Sequence, residues 1–194
     1  MPDPGSALGT LAQERLGAVV DAMASREPLP AAGAALAVAL AMSAALLEKA
    51  ASAPRSGAPA DAAAEARAGR LRRDALRLAD EDAAAYRRVV AAKPAGDAER
   101  MRHALSQAAD PPLAMAEIGL KLATIAQSIL DEVPLSLQGE VRAAEQMALA
   151  AAIAAADLVR IDIGRDQDER SRRASLLAED AAARAHALAA RPLR

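Results

Sequence analysis

An aspartate lies on the apolar face of a long alanine-rich segment, where packing would ordinarily place a hydrophobic residue. In the run LRRDALRLADEDAAAYRRVV, helical spacing puts Leu71, Leu78, Asp82, Tyr86 and Val89 on one stripe. A carboxylate that faces a core must be hydrogen-bonded, paired or neutralised, because burying it unpaired is costly. Asp82 is therefore a candidate general acid or base in a pocket between helices. The alternative is a structural carboxylate that caps another helix or pairs with a buried arginine.

The two acids next to Asp82 are expected on the helix surface. Asp80 shares the opposite side with arginines, and Glu81 follows Arg77 by four residues, so both have ion partners within reach. Tyr86, the single aromatic residue of the chain, follows Asp82 by one turn on the apolar face. The pattern singles out Asp82 and Tyr86 as the residues of this segment that face a pocket.

Two further positions belong to long apolar segments. Gly33, near the start of the first, permits close approach of another helix or a ligand, although packing alone would also explain it. Glu140 opens the second, and a stripe through Ala144 and Ala151 continues inward from it. Glu140 is interpreted as a first-turn acid favoured by the helix dipole, or as a second carboxylate that meets Asp82 at one pocket.

The remaining polar residues give no recognised metal or cofactor motif. The chain has no cysteine, and His103 and His186 are far apart without metal-binding spacing. One acidic cluster lacks the spacing and the glycine of a calcium loop, and is interpreted as helix termination and N-capping: Asp162, Asp166, Asp168 and Glu169. Phosphate-binding loops and nucleophile elbows are missing from the sequence. We expect no metal and no bound prosthetic group.

The composition predicts an all-α fold in one domain that spans residues 1–194. Hydrophobic residues make up 53% of the chain, aromatic residues only 1%, and about three residues in ten are alanine. Alanine has the highest helix propensity and lets helix axes approach closely, which favours an antiparallel helical bundle. The net charge is −2 and no basic stripe is present, so we expect no nucleic-acid partner. The N-terminal residues lack a secretory pattern, and a cytoplasmic location is expected.

Proline and glycine breakers divide the chain into seven predicted helices. Their approximate ranges are 6–25, 31–52, 61–92, 97–108, 111–130, 135–161 and the segment after DIGRDQD. The second and sixth carry long apolar runs, and we expect them to be the most buried, as a central pair or at a homodimer interface. The uncharged run 31–47 is short and mostly alanine, so burial in a bundle is favoured over a membrane span.

Four segments together resemble the cyclodeaminase/cyclohydrolase family, the folate-processing helical domain that also forms part of formiminotransferase-cyclodeaminase. They are LPAAGAALAVALAMSAAL, LADEDAAAYRRVVAA, DPPLAMAEIGLKLA and LQGEVRAAEQMALAAAIAAADLVRIDI. The second resembles the family's Glu-Asp-Ala-x-Ala-Tyr/Phe segment, with Asp82 and Tyr86 in place. The chain departs from the family pattern at several positions. Alanines replace most of a glycine run and its serine, Glu140 replaces an aspartate, and Leu158 and Asp162 replace two asparagines.

The resemblance implies an enzyme that opens or closes the one-carbon bridge of tetrahydrofolate. It would hydrolyse 5,10-methenyltetrahydrofolate or deaminate 5-formiminotetrahydrofolate, with the folate as substrate. Both reactions need proton transfer at a carbon between two nitrogens, which a carboxylate supplies.

The resemblance also implies roles for residues of this chain. Asp82 is the expected acid or base, Glu140 would orient water or the pterin, and Tyr86 would form a wall of the pocket. The opening loop at Gly33 and Ala34 would face the substrate, and Lys49 or Arg55 would meet the glutamate tail. The alternative is a catalytically silent helical homodimer that binds ligands or acts as a scaffold, because the glycine run of the opening loop is reduced.

Overall fold

Seven α-helices make up the regular secondary structure of the described residues in a computed structural model. The structure describes residues 15–55, 59–93, 97–164 and 168–191. The helices are α1 (Leu16–Ala24), α2 (Ala32–Ala51), α3 (Ala62–Ala92), α4 (Ala98–Ala108), α5 (Asp110–Ile129), α6 (Leu135–Ile163) and α7 (Glu169–Ala190). The predicted all-α bundle is confirmed. The predicted start of the first helix, near residue 6, lies outside the described residues.

Capping aspartates begin three of these helices, and a glycine ends another. Asp61, Asp97 and Asp168 each accept a backbone N–H with their side chain at the start of α3, α4 and α7. Such caps satisfy N–H groups that have no partner inside the helix. The interpretation of Asp168 as an N-cap is confirmed. Gly164 ends α6 with a φ of 79°, a conformation that favours glycine.

Small residues let the helices pack closely in antiparallel order. The Ser43 hydroxyl of α2 donates to the backbone oxygen of Ala144 in α6. A Cβ added at Gly119 of α5 would lie 2.6 Å from the backbone oxygen of Ala148 in α6, closer than a real Cβ approaches. The core is correspondingly rich in alanine, with leucine, isoleucine and valine filling the remaining space.

The order of burial among the helices differs from the prediction. Helix α5 buries twelve of its twenty residues, whereas α2 buries ten of twenty and α6 ten of twenty-nine. Helix α5 lies against α2, α3, α4, α6 and α7, while α2 and α6 each keep one stripe on the surface of the single chain. In α2 this stripe includes Ala32, Ala35, Met42 and Ala45. Helix α2 is long and apolar enough to cross a membrane. Buried helices in the core of a bundle can have the same length and composition.

Candidate functional site

The structure places Asp82 on the buried face of α3, as the periodicity predicts. Asp82 is 8% exposed, and Leu78, Ala79 and Ala85 on the same face are also buried. Glu81 is exposed, and its carboxylate pairs with the guanidinium of Arg77 one turn earlier. The assignment of Asp82 to the interior and Glu81 to the surface is confirmed.

The first turn of α2 lies directly against the Asp82 carboxylate. A Cβ added at Gly33 would stand 2.1 Å from Oδ1 of Asp82, so a larger residue at position 33 would displace the carboxylate or the helix. The backbone N–H of Ala34 donates a hydrogen bond to Asp82. Ala31, the N-cap residue of α2, offers no side-chain cap of its own. Asp82 therefore caps α2 from a neighbouring helix, where the positive end of the helix dipole favours a negative charge.

Burial dominates the acidity of Asp82. Loss of contact with water raises the pKa of the Asp82 carboxyl to about 6, and the hydrogen bond from Ala34 lowers it only in part. A carboxyl with a pKa near 6 exchanges a proton more readily near neutral pH than an ordinary aspartate does. Asp82 can therefore act as either a proton donor or a proton acceptor.

A second carboxylate, Asp162, interacts with Asp82 from the last turn of α6. Asp162 is half-buried. Its burial, and then the negative charge of Asp82, raise the pKa of the Asp162 carboxyl to about 6. Sequence reasoning missed this role and assigned Asp162 to helix termination. The signal that could have identified it was its position where the resembled pattern has an asparagine.

Tyr86 is half-buried one turn after Asp82 on α3. Its ring packs against a small cluster between α3 and α4 that includes Val89, Ala104 and Ala108. Tyr86 thus packs toward α4, and its expected place in the wall of a pocket at Asp82 stays a prediction.

Three of the other predicted site residues lie at the opposite end of the bundle. Lys49 Nζ is 3.1 Å from Oε1 of Glu140, while Arg55 pairs with Glu132 and, at 3.9 Å, with Asp61. Glu140 and Asp162 are 22 positions apart on the same helix, which corresponds to about 33 Å at 1.5 Å per residue. The expectation that Glu140 meets Asp82 at one pocket is therefore wrong for a single chain. The reason is that a 29-residue helix separates its first and last turns by the whole length of the bundle.

An open groove runs along the side of α3 that carries Glu81 and Arg88, and Asp82 is not part of its lining. It has a volume of about 580 Å³ and lies between α3, the end of α4 and the start of α5. Its lining consists of Glu81, Ala84, Ala85, Arg88, Gln107, Asp110 and Pro111. A second groove of about 190 Å³ shares Arg88 and Gln107 with it and extends along α4 to Arg100 and His103. The combined volume lies in the range of small-molecule sites.

The described residues contain no group of three or more acidic or histidine side chains that could hold a metal ion. The groups around Asp82 include the Asp162 carboxylate and the backbone N–H of Ala34. Carboxylates can transfer protons and stabilise a positive charge.

The comparisons with known proteins agree with the helical fold. A family model described as formiminotransferase-cyclodeaminase matches residues 15–182. The crystal structure of formiminotetrahydrofolate cyclodeaminase from Thermotoga maritima is similar with a TM-score of 0.74 at 23% sequence identity, over 91% of this chain and 92% of that chain. No curated protein matches the sequence. At this identity the structural similarity supports the fold, and the family model carries the assignment.

Proposed function

The chain belongs to the formiminotransferase-cyclodeaminase family, and we propose that it acts on the one-carbon bridge of tetrahydrofolate with Asp82 as the proton-transfer group. The single observation that carries the proposal is the environment of Asp82. The carboxylate is buried, held by the Ala34 N–H against Gly33, and has its pKa raised to about 6.

Two reactions fit a carboxylate at this position. In hydrolysis of 5,10-methenyltetrahydrofolate, water adds to the amidinium carbon, and Asp82 accepts the proton that water loses. The bond from that carbon to N5 then breaks, N5 takes up the proton from Asp82, and the remaining hydroxyl proton is released to solvent as the formyl C=O forms, which leaves 10-formyltetrahydrofolate. In deamination of 5-formiminotetrahydrofolate, N10 attacks the formimino carbon and loses its proton. The carbon–nitrogen bond to the formimino nitrogen breaks, and ammonia leaves after that nitrogen is protonated.

Asp162 supports the same chemistry through its charge. The amidinium carbon of the methenyl bridge is part of a cation, and a carboxylate pair near it would stabilise that charge in a site with little water. Asp162 thus takes the place that the sequence suggested for Glu140, as the second carboxylate next to Asp82. Glu140 is instead engaged with Lys49 at the far end of α6.

The assay that tests the proposal measures both reactions with the Asp82→Asn variant. Loss of the proton-transfer group should lower the rate by about 10²–10⁴-fold, while the variant stays folded because asparagine retains an acceptor for the Ala34 N–H. Asp74→Asn is the matched control, since Asp74 lies on the exposed face of α3.

The rate of hydrolysis by the wild type should also depend on pH. After subtraction of the uncatalysed reaction, this rate should decrease below about pH 6, where Asp82 is protonated and cannot accept a proton.

A second function, a catalytically silent helical module, is favoured by one observation, the capping of α2 by Asp82. If the capping is the whole role of Asp82, the wild type gives no turnover above the uncatalysed rate with either folate. In that case Asp82→Asn changes only the thermal midpoint of unfolding. The same pair of measurements therefore decides between the two functions.

A further inference from the structure

Arg170 joins the first turn of α7 to the end of α4 and the start of α5. Its Nη1 donates to the backbone oxygen of Ser106 at 2.7 Å and to Oδ1 of Asp110 at 2.6 Å. Its Nη2 donates to the Ser106 hydroxyl and to Oδ2 of Asp168, both at 2.8 Å, and its Nε donates to Oδ1 of Asp168 at 3.1 Å. These five hydrogen bonds match the five N–H groups of a guanidinium, so the orientation of the side chain is fixed.

The ion pair within this contact is present at every pH at which the buried aspartates titrate. The hydrogen bonds from the Arg170 side chain and backbone lower the pKa of the Asp168 carboxyl to about 2. The pKa values of Asp82 and Asp162 are both raised to about 6. Asp168 therefore stays ionised and bound to Arg170 while the other two carboxyls gain or lose their protons.

The same turn of α7 also holds the end of α6. Ser171 is fully buried, and its hydroxyl donates at 2.6 Å to the backbone oxygen of Gly164, the residue that ends α6. The last carbonyl groups of a helix have no partner inside the helix, and helix ends fray unless other groups bond to them. Ser171 supplies such a bond two positions after Asp162.

The interaction between Asp162 and Asp82 depends on where the last turn of α6 lies. The negative charge of Asp82 acts on the Asp162 carboxyl, and the strength of such an interaction falls with the distance between the two groups. Asp162 is on α6 and Asp82 on α3, so a shift or fraying of the end of α6 would separate them.

We propose that Arg170 and Ser171 are positioning residues, which fix the last turn of α6 and thereby keep Asp162 near Asp82. Arg170 fixes the first turn of α7 on α4 and α5, and Ser171 connects that turn to the end of α6. The inference rests on the proposed function, because that function assigns the two carboxylates to one reaction. Both positioning residues act through Asp162.

Carbon-13 NMR titration of the aspartate carboxyl groups tests the positioning without any need for turnover. Asp82→Asn removes the neighbouring negative charge, so it should lower the pKa of Asp162 by about 0.5 or more in the otherwise wild-type protein. When Ser171→Ala or Arg170→Gln is also present, Asp82→Asn should lower that pKa by less than half as much, because Asp162 then lies farther away. The signal of Asp162 is identified by its loss in Asp162→Asn.

Two control variants separate the first turn of α7 from the rest of the helix. The Ser175 hydroxyl donates to the Ser171 backbone oxygen within α7, and Arg184 donates to Thr124 of α5 farther along. Ser175→Ala and Arg184→Gln should therefore leave the effect of Asp82→Asn on Asp162 at its full size. Gly164 is exposed, so water can bond its oxygen in Ser171→Ala and the variant should stay folded, which thermal unfolding verifies.

Steady-state kinetics gives the second measurement. Ser171→Ala should lower kcat for hydrolysis of 5,10-methenyltetrahydrofolate about tenfold, because a small misplacement of a reacting group slows the chemical step. KM should change less than about twofold, since the buried Ser171 side chain bonds to the α6 backbone. A lower thermal midpoint with an unchanged kcat in the active enzyme would mean that Ser171 is only structural, and would overturn the inference.

The titrations can also overturn the positioning role. It fails if Asp82→Asn has no effect on Asp162 in the otherwise wild-type protein, or an effect of equal size in all variants. It fails as well if Ser175→Ala and Arg184→Gln reduce the effect as much as Ser171→Ala, because docking of the whole of α7 would then be the cause. A wild type without turnover overturns the proposed function, and the NMR comparison then decides the positioning role by itself.

Discussion

The Asp82 carboxylate combines a structural contact with an acidity that suits the proposed proton transfer. It accepts the Ala34 N–H at the uncapped start of α2, and its burial shifts its pKa toward neutrality. The two effects oppose each other, because a hydrogen bond to the charged form lowers the pKa while burial raises it. Burial is the larger effect, so the residue that fixes the end of α2 also remains able to accept and release a proton.

The contact between Gly33 and Asp82 gives a direct test of this arrangement. Gly33→Ala would place a Cβ 2.1 Å from Oδ1 of Asp82, so the carboxylate must move or α2 must shift. We expect a loss of about 1–3 kcal/mol in the free energy of unfolding, as for other overpacked interiors. Turnover and folate binding should fall as well, because the displaced carboxylate loses its alignment.

Gly139→Ala provides the control for the glycine replacement itself. Gly139 lies in α6 with open space around the position of a Cβ, so alanine should increase stability by up to about 1 kcal/mol through its higher helix propensity. Chemical denaturation of both variants measures the two changes. Equal effects of the two substitutions would contradict the role of Gly33 as a site of close approach.

Sequence patterns identified the part of this site that lies on single helices. The period of α3 was enough to place Asp82 and Tyr86 on one face, and the glycine near the start of α2 indicated a close approach. Pairings between helices could not be obtained in this way. Asp162 interacts with Asp82, and Glu140 with Lys49, because of the register of α6 against its neighbours, and that register depends on the packing of the whole bundle.

At the scale of the helices, the proline and glycine breakers in the sequence predicted most helix ends to within a few residues of the observed ones. Prolines, glycines and capping aspartates act locally, so they can be recognised without knowledge of the fold. The burial of each helix depends on its partners and was harder to predict. Helix α5 has a mixed sequence but packs against five other helices, whereas the more uniformly apolar α2 is left with one exposed stripe.

Helix α6 contains a buried acid, Glu145, that is separate from the pair formed by Asp82 and Asp162. Glu145 is 1% exposed, and its Oε1 accepts a hydrogen bond of 2.8 Å from Gln127 of α5. Its Oε2 has no hydrogen-bond partner among the described residues. Burial raises the pKa of the Glu145 carboxyl, an effect only partly opposed by the Gln127 hydrogen bond and by three nearby arginines. The folded protein therefore favours the protonated form of Glu145 more than the unfolded chain does.

The sign of this shift predicts how stability depends on pH. Because the pKa of Glu145 is higher in the folded state, its contribution to stability is present at low pH and is lost as the pH rises through the folded-state pKa. Glu145→Gln, which is neutral at every pH, should be more stable than the wild type at pH 8 by about 1 kcal/mol or more. The difference should shrink toward pH 4. Urea unfolding at several pH values measures the free energy of unfolding of both proteins. If Glu145→Gln is less stable than the wild type, and by more at pH 8 than at pH 4, the raised pKa of Glu145 in the folded state is contradicted.

On the scale of the whole molecule, the exposed stripe of α2 is the feature that a single chain leaves without a partner. Ala32, Ala35, Met42 and Ala45 form an apolar row on the surface, and the Met42 residue is 48% exposed. Small apolar residues allow two helices to approach closely, and a two-fold axis would place the same stripe from a second copy against it. We therefore expect a homodimer in which α2 packs against α2 of the partner subunit. This arrangement would cover the helix that the sequence predicted to be surrounded.

Light scattering coupled to gel filtration tests this expectation. The wild type should have about twice the 19.9 kDa mass of one chain at micromolar concentration. Met42→Glu should reduce it to a single chain, because a charge at the centre of the interface would be buried without a partner. Leu176→Glu is the control, since Leu176 is also exposed, at 66%, but lies on α7 away from the stripe. Dissociation by both substitutions would place the interface elsewhere. A wild type of about 20 kDa would mean that the apolar stripe of α2 faces solvent in the free protein.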